Sequence, residues 1–411
     1  MKKNFNIRVI FKNQHCCFDN VLIKQKNIPH FSFLIKQWEF EKGKMNQENL
    51  IKIKNLRHEL HAHPELSMNE SETKRRLMNF IEENTHLAVV DCGNYFFASR
   101  YVEGTKGIAF RADMDALPID EVINLPYCSK NPGVAHKCGH DGHCAALCGL
   151  ALELDKMEVK RSVYLIFQHA EETGQGAREC LKLLHERSIS SIYAFHNWSG
   201  WPEKSIVIRD GLCQCSSAGL TIKFTGKTSH ASEPEKGINP AFAIAKIISE
   251  IENITEKNKK ILCTIVNIKL GEKNFGISPG DGEISLTLRA ERENDMRDFR
   301  NNVVNLAEKV ARENSLQVEI SGCDYFPETL SDTRCVKKIV WAANQLNLKV
   351  IEMPEAIRAS EDFGYYTKQI HGAIFYIGNG ENYPAIHTAE YDFNDEILEP
   401  AVDMFVKIFE N

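Results

Sequence analysis

Eight residues, His136-Lys-Cys138-Gly-His140-Asp141-Gly-His143, gather thiol, imidazole and carboxylate groups just ahead of an Ala/Leu-rich stretch that reads as a helix. Cysteine thiolate, neutral imidazole and carboxylate are the groups that borderline divalent metals take from proteins, and Gly139 and Gly142 let the backbone fold closely around an ion. Isolated copies of these residues are ordinarily inert buried thiols and solvated loop histidines. A fold that uses the run as a metal site must therefore bring further ligands to it from elsewhere in the chain.

Three apolar runs end in suitable side chains. Ser162-Val-Tyr-Leu-Ile-Phe167 reads as a buried strand that delivers Gln168-His169-Ala170-Glu171-Glu172. Ile192-Tyr-Ala-Phe195 leads into His196-Asn197-Trp198, and Gly372-Ala-Ile-Phe-Tyr-Ile377 is followed by Ile386-His387. Ligands of open α/β sheets bind at the C-terminal edge of the strands, so Glu171 and Glu172 are placed for chemistry. Which of the two does which job is open from the residues alone. Asp113 and Asp115 also follow an apolar run, at 107–110; they either orient ligand imidazoles or form an ordinary turn or helix cap.

At 411 residues the chain is long for one compact domain, and 43% apolar content is ample for a large core, so two domains are expected. Strand patterns at 219–224, 261–267, 284–289 and 317–320, with helical patterns at 239–251 and 296–313, describe a small α+β unit over 216–324. It interrupts a larger α/β unit, a mixed central sheet flanked by helices, formed by 45–215 and 325–411. A net charge of −6 without a dominant basic patch argues against nucleic acid as a partner. Thirteen scattered cysteines, odd in number and with no repeated C-x-x-C, fit a reduced cytoplasmic setting better than a disulfide framework. Residues 1–44 are basic and mixed, and their apolar runs are too short for a secretory signal or a membrane span. They read equally as a tail of doubtful order ahead of a translation start at Met45 or as a functional extension, with an amphipathic targeting helix as the runner-up.

The motifs together resemble the M20 metallopeptidases, in particular the amidohydrolase branch of hippurate, N-acyl-amino-acid and auxin-conjugate hydrolases. The resemblance is carried by Arg57-His-Glu-Leu-His61-Ala-His-Pro64, Arg111-Ala-Asp113-Met-Asp115, the run from His136 to His143, Ala170-Glu-Glu172 and Phe195-His-Asn197. It continues through Gly226-Lys-Thr-Ser-His230-Ala, Ala359-Ser-Glu-Asp-Phe363 and Ile386-His387, in family order from about Asn55 to the C-terminus.

This resemblance implies a centre of two divalent metal ions (Zn, Mn, Ni or Co) held by Cys138, His140, Glu172, His196 and His387, with Glu171 as general base. It implies that the inserted unit is a lid and dimerisation domain, so that a homodimer is expected, and that His230 supports the oxyanion, often in the partner subunit's site. Asn274 and Arg289 are then candidate contacts for a substrate carboxylate. The implied reaction is hydrolysis of the amide of an N-acyl amino acid, a small-molecule substrate, with no membrane involved. A dipeptidase or carboxypeptidase on the same site, Cys138 as a thiol nucleophile, and a decayed binding protein are the competing expectations. His169 replaces a proline common in the family and Cys144 a threonine; both, with Trp198 and Trp201, are expected to shape the acyl pocket.

Overall fold

The computed structural model describes residues 45–411; the expectations for residues 1–44 fall outside the described residues. The chain opens with α1 (Gln47–Ala62) and α2 (Ser71–Asn84), followed by β1 (Ala88–Asp91), β2 (Phe96–Arg100) and β3 (Gly107–Asp113). Next come α3 (His140–Lys156), β4 (Val163–Gln168), α4 (Gly176–Glu186), β5 (Ile189–Trp198), β6 (Ile206–Ile208) and β7 (Gly211–Gln214). Then follow β8 (Ser216–Thr225), β9 (Ser229–His230), α5 (Ala241–Lys257), β10 (Ile261–Leu270), β11 (Ile277–Ser278), β12 (Asp281–Ala290), α6 (Glu293–Glu313) and β13 (Gln317–Phe326). The chain closes with β14 (Thr329–Ser331), α7 (Thr333–Gln345), β15 (Val350–Glu352), α8 (Gly364–Thr367), β16 (His371–Gly378) and α9 (Leu398–Glu410).

Eight strands form one mixed sheet in the order β1-β2-β4-β3-β5-β16-β6-β15. Its central strands β4, β3, β5 and β16 run parallel. Alternation along each strand supplies two faces. Phe96, Ala98, Ile108 and Phe110 pack with α1, α2, α3, α7 and α9, whereas Phe97, Ala109, Tyr164 and Ile192 pack with α4 and α8. This is the expected α/β class. A parallel strand covered on both faces is apolar throughout, which is why 163–167 carries no polar alternation.

Strand β5 departs from the expected boundary. It continues through Trp198 because Tyr376, Ile377 and Gly378 of β16 pair with His196, Asn197 and Trp198. His196 is therefore a strand residue held by neighbours on a ladder, not a loop residue beyond it.

A second sheet, β10-β12-β8-β13, is antiparallel and has its own core. Leu220, Ile222 and Phe224 of β8 and Ile284, Leu286 and Leu288 of β12 pack against Ile244, Ile247 and Ile251 of α5 and Phe299, Val303 and Val310 of α6. Strand β10 lies at the edge and exposes Leu262, Ile265, Val266, Ile268 and Leu270. No helix among the described residues is long and apolar enough to cross a membrane, and the described cysteines are free.

A buried ionic network ties the start of α3 to distant parts of the chain. His61 on α1 is fully buried, with Nδ1 2.8 Å from Asp141 Oδ2 and Nε2 2.9 Å from Glu121 Oε1. Arg57, one turn earlier, reaches Asp392 at 2.7 Å and Asp395 at 2.9 Å. Lys137 donates to Glu121 and to the Tyr391 carbonyl. Burial lowers the His61 pKa, but the Asp141 and Glu121 carboxylates outweigh it and hold the imidazolium up to about 9. A group whose folded pKa is raised contributes stability below its unfolded value of about 6.5, and that contribution is lost as pH rises through the folded value. The urea midpoint is therefore expected to fall between pH 6.5 and pH 9.5, and His61→Gln to flatten that fall while lowering stability at pH 6. A decline equally steep in the variant would assign it to other groups.

Candidate metal centre and active-site cleft

The local folding of the 136–143 run follows from two glycines and one carboxylate. Gly139 caps α3 at φ +103°, and a Cβ there would stand 2.3 Å from Asn197 Oδ1. Glycine is needed on both counts. Asp141 in the first turn suits the helix N-terminus, and its link to His61 fixes the turn. His140, the first residue of α3, is thereby aimed at the ends of β3 and β4.

The structure brings Cys138, His140, Glu172, His196 and His387 together. Cys138 Sγ lies 3.4 Å from His196 Nε2 and 3.3 Å from His387 Nε2. Glu172 Oε1 is 3.7 Å from His140 Nε2 and 3.5 Å from His387 Nε2. The ligand atoms of Cys138, His140 and His196 form one compact trio, and those of Cys138, Glu172 and His387 another, each within 4.8 Å. Cys138 belongs to both, as a thiolate between two cations would.

The donor atoms pass a test of fit. His140 Nε2 and Glu172 Oε1 are buried without a hydrogen-bond partner, although orphaned buried polar atoms are costly. Their ring and carboxylate neighbours are spoken for. His140 Nδ1 is 3.3 Å from Asp115 Oδ1, and His196 Nδ1 donates to the Asn197 carbonyl at 2.7 Å. Each imidazole is thus oriented with Nε2 turned to the donor cluster, that of His140 unpartnered and that of His196 against Cys138 Sγ, the arrangement that holds metal-ligating histidines. Asp115 also accepts from Ser67 Oγ and from the Glu172 N–H, which fixes the second carboxylate ligand candidate.

Asp115 thereby orients a candidate ligand imidazole, whereas Asp113 holds His143. Asp113 Oδ1 is 2.6 Å from His143 Nδ1, and His143 Nε2 lies 2.7 Å from Asn197 Oδ1. Both His143 nitrogens are occupied by protein, so it is a brace and not a free donor. Asp141 is likewise occupied. His136 is buried beside them, and burial lowers its pKa to about 4, so it is neutral.

Glu171 is the adjacent acid. It follows Ala170, a left-handed residue at φ +46°, whose N–H is held by Glu70 Oε1 at 2.7 Å. The turn leaves both glutamates at the site, with their carboxylate oxygens and His140 Nε2 all within 4.8 Å of one another. Glu171 Oε2 stands 3.9 Å from His140 Nε2, and burial together with Glu361 and Glu172 pushes its pKa well above the ordinary range. Burial, with Glu172 and Glu171, also pushes the Cys138 thiol well up, so a thiolate here requires cations close by.

Sequence reasoning assigned no role to a third cluster. Arg111, fully buried on β3, pairs with Asp113 at 2.6 Å, Glu361 at 3.0 Å and Asp362 at 2.7 Å, and donates to Gln168. Its pairing with Asp362 closes the sheet end across 251 residues. The conspicuous Arg-Ala-Asp and Ser-Glu-Asp segments were the available signal; their contact was not.

A cleft of about 500 Å³ opens over these groups. Cys138, Glu171, Glu172, His196 and His387 line one side, and Ser217, Ala218, Gly219, Thr287 and Arg289 of the second sheet line the other. Arg289 donates Nη1 to the Arg358 carbonyl at 3.0 Å and to Ser360 Oγ at 2.9 Å. His230 and Asn274 are not brought to this cleft. His230 is exposed in the small β9–β11 ribbon with Nδ1 2.7 Å from Ser232 Oγ, and Asn274 sits in the same ribbon, bonded to Gly276 N. Trp198 lines the cleft, but His169, Cys144 and Trp201 do not. His169 stacks beside Tyr95 near Glu179, Cys144 donates to the Asp113 carbonyl, and Trp201 bridges to Gly380. The expectation that these three shape the acyl pocket is therefore corrected, since each packs outside the cleft lining.

Comparison with known proteins agrees with this construction. Residues 109–411 match the model of peptidase family M20/M25/M40. The chain is 30% identical over 366 residues to an N-acetylcysteine deacetylase of Bacillus subtilis, covering 86% of this chain and 95% of that one. It is 28% identical to a hippurate hydrolase of Campylobacter jejuni, covering 86% and 94%. Among solved structures, the YXEP protein of Bacillus subtilis, described as a dinuclear metal binding peptidase from the M20 family, superposes with a TM-score of 0.74 at 28% identity over 89% of this chain and 98% of that one. A putative aminohydrolase from methicillin-resistant Staphylococcus aureus shares the fold with a TM-score of 0.79 at 24% identity, over 92% and 100%. The family match over most of the chain and the similarity along its length establish that this hydrolase belongs to peptidase family M20/M25/M40.

Proposed function

We propose that the protein hydrolyses the amide of N-acyl amino acids, releasing a carboxylate and the free amino acid. The observation that carries this reading is the pairing of Glu171 with Cys138, Glu172, His196 and His387 on one side of a cleft, with His140 close to Glu172, and Arg289 on the other side. The relatives named for N-acetylcysteine and hippurate support the substrate class. Cys138, His140, Glu172, His196 and His387 would hold two divalent ions of the Zn, Mn, Ni or Co type, to which mixed N, O and S ligands are suited. Bound cations supply a Lewis acid for the scissile carbonyl and acidify water.

The chain's own residues do the rest. Glu171 takes the proton of the attacking water and hands it to the leaving nitrogen, the shuttle for which a raised carboxylate pKa is suited. Arg289 keeps Nη2 and Nε for the carboxylate of the amino-acid half while Nη1 stays on Arg358 and Ser360. Asp115 and the Asn197 carbonyl hold the two imidazoles in their tautomers.

His230 and Asn274 act in trans in this reading. Both project on a ribbon away from their own chain's cleft, and the exposed apolar edge of β10 is a surface on which two copies can pair through their sheets. A two-fold dimer then presents the partner copy's ribbon to the cleft, where an imidazole donates to the oxyanion that develops in the transition state. The unit over 216–324 is thus a lid and dimerisation domain, and a cytoplasmic location fits its free thiols.

Glu171→Gln is expected to lower kcat on an N-acetyl or N-benzoyl amino acid by about 10²- to 10⁴-fold with the urea midpoint preserved. Undiminished turnover would remove Glu171 from the mechanism. Mixing inactive Glu171→Gln and His230→Ala proteins and allowing subunits to exchange is expected to restore activity, because one of the hybrid sites has both residues. No restoration in a mixture shown to exchange would place His230 outside the partner's site.

A further inference from the structure

A second groove adjoins the catalytic cleft and carries charge of the opposite sign to the chain. It has a volume of about 730 Å³ and is walled by Arg178 of α4, Arg297 and Arg300 of α6, and residues 322–325 at the end of β13. The chain as a whole has a net charge of −6. Among the described residues none of the three guanidiniums has a carboxylate in ion-pair range: Arg178 lies 5.8 Å over the Tyr365 ring, and Arg297 Nη2 donates to Asn294 Oδ1 at 3.0 Å. Arg297 and Arg300 are three residues apart and so share a face of α6. Three cations drawn from two helices, none of them paired with a carboxylate among the described residues, face one space.

The groove is continuous with the cleft. Ala218, Gly219 and Asp324 line both. The order of the second sheet gives this continuity a direction. Arg289 on β12 pairs across from Ser217 of β8, and Asp324 lies on β13 on the other side of β8. Two strand spacings, about 10 Å, separate the two flanking strands. A chain that leaves the cleft past Ala218 and Gly219 meets Asp324 first and the arginines beyond it.

Asp324 sits at the junction in an unusual backbone state. Strand β13 slips register between Cys323 and Phe326, and Asp324 has φ +47°. Bulges beside active sites re-aim side chains, and here the result is a carboxylate in the shared wall. It repels an anion placed at the junction and leaves one placed beyond it to the guanidiniums.

We infer that this groove is a subsite for a carboxylate at the far end of the acyl chain, making the preferred substrates N-acyl amino acids whose acyl group is a dicarboxylic acid of medium length. The inference rests on the amidohydrolase reading and on Arg289 binding the amino-acid half. Guanidinium and carboxylate pair through paired N–H donors, and exposed pairs of this kind are individually weak but add across three arginines to about tenfold in kcat/KM.

The test compares one amino acid carrying N-pentanoyl, N-glutaryl and N-oxalyl groups on the wild type, Arg297→Gln/Arg300→Gln and Arg300→Glu proteins. N-Glutaryl is expected to exceed N-pentanoyl by about tenfold in kcat/KM, mainly through KM, with N-oxalyl poorer than both. The double variant should bring the glutaryl to pentanoyl ratio towards one with its urea midpoint retained, and Arg300→Glu should invert it. A wild-type ratio near one with N-pentanoyl readily hydrolysed overturns the subsite and leaves the amidohydrolase reading standing. Hydrolysis of no N-acyl amino acid overturns both. Free glutarate altering N-pentanoyl hydrolysis in the wild type alone, with no preference for the glutaryl substrate, would assign the groove to a separate anion and overturn the inference.

Discussion

Crowded negative charge at one end of the central sheet is the constraint on which the rest depends. Asp113, Asp115, Glu171, Glu361 and Asp362 are buried there, with Glu172 beside them and the Cys138 thiol between. Burying charge without compensation is prohibitive, and Arg111, whose burial is outweighed by Asp113, Glu361 and Asp362, remains firmly charged but answers only part of it. The orphaned His140 Nε2 and Glu172 Oε1 mark where compensation is still owed. Two divalent ions in that space would settle the charge, use the unsatisfied donors and leave Glu171 unligated as the acid-base group.

Every other part of the fold serves to hold those groups still. The parallel ladder from β4 to β16 carries Glu171, Glu172 and His196 to one edge, and the His61, Arg57 and Lys137 network locks the turn that presents Cys138 and His140. His387, at φ +63°, is held by its own N–H on the Lys137 carbonyl at 2.7 Å, so the last donor is tied to the same turn as the first. The second sheet contributes no candidate ligand. It contributes the opposite wall, with Arg289 anchored to 358–360 beside Glu361 and thus mechanically joined to the charged cluster it faces.

Much of this was legible in the sequence because it is local. A β-branched run ending in Ala-Glu-Glu announces a strand and what it delivers, and the glycine-spaced Cys/His run announces a tight turn before a helix. The continuation of β5 through His196 was not legible, since it depends on pairing with β16, 180 residues later. The bond from Arg111 to Asp362 spans 251 residues and leaves no periodic trace. The roles of Asp113 and Asp115 were undecidable for the same reason: whether an acid after a strand caps a turn or orients an imidazole depends on which imidazole arrives. His230 and Asn274 stand apart from the cleft of their own chain, and no local pattern in the sequence says where the β9–β11 ribbon that carries them falls.

The measurement closest to the central claim is metal content by inductively coupled plasma mass spectrometry, taken alongside amidase activity through chelation and reconstitution. About two divalent ions per active chain are expected, with activity lost as they are removed and regained as they return. Full activity at well under one ion per chain would contradict the account, since the buried charge at the sheet end would then have to be balanced by protons and Arg111 alone.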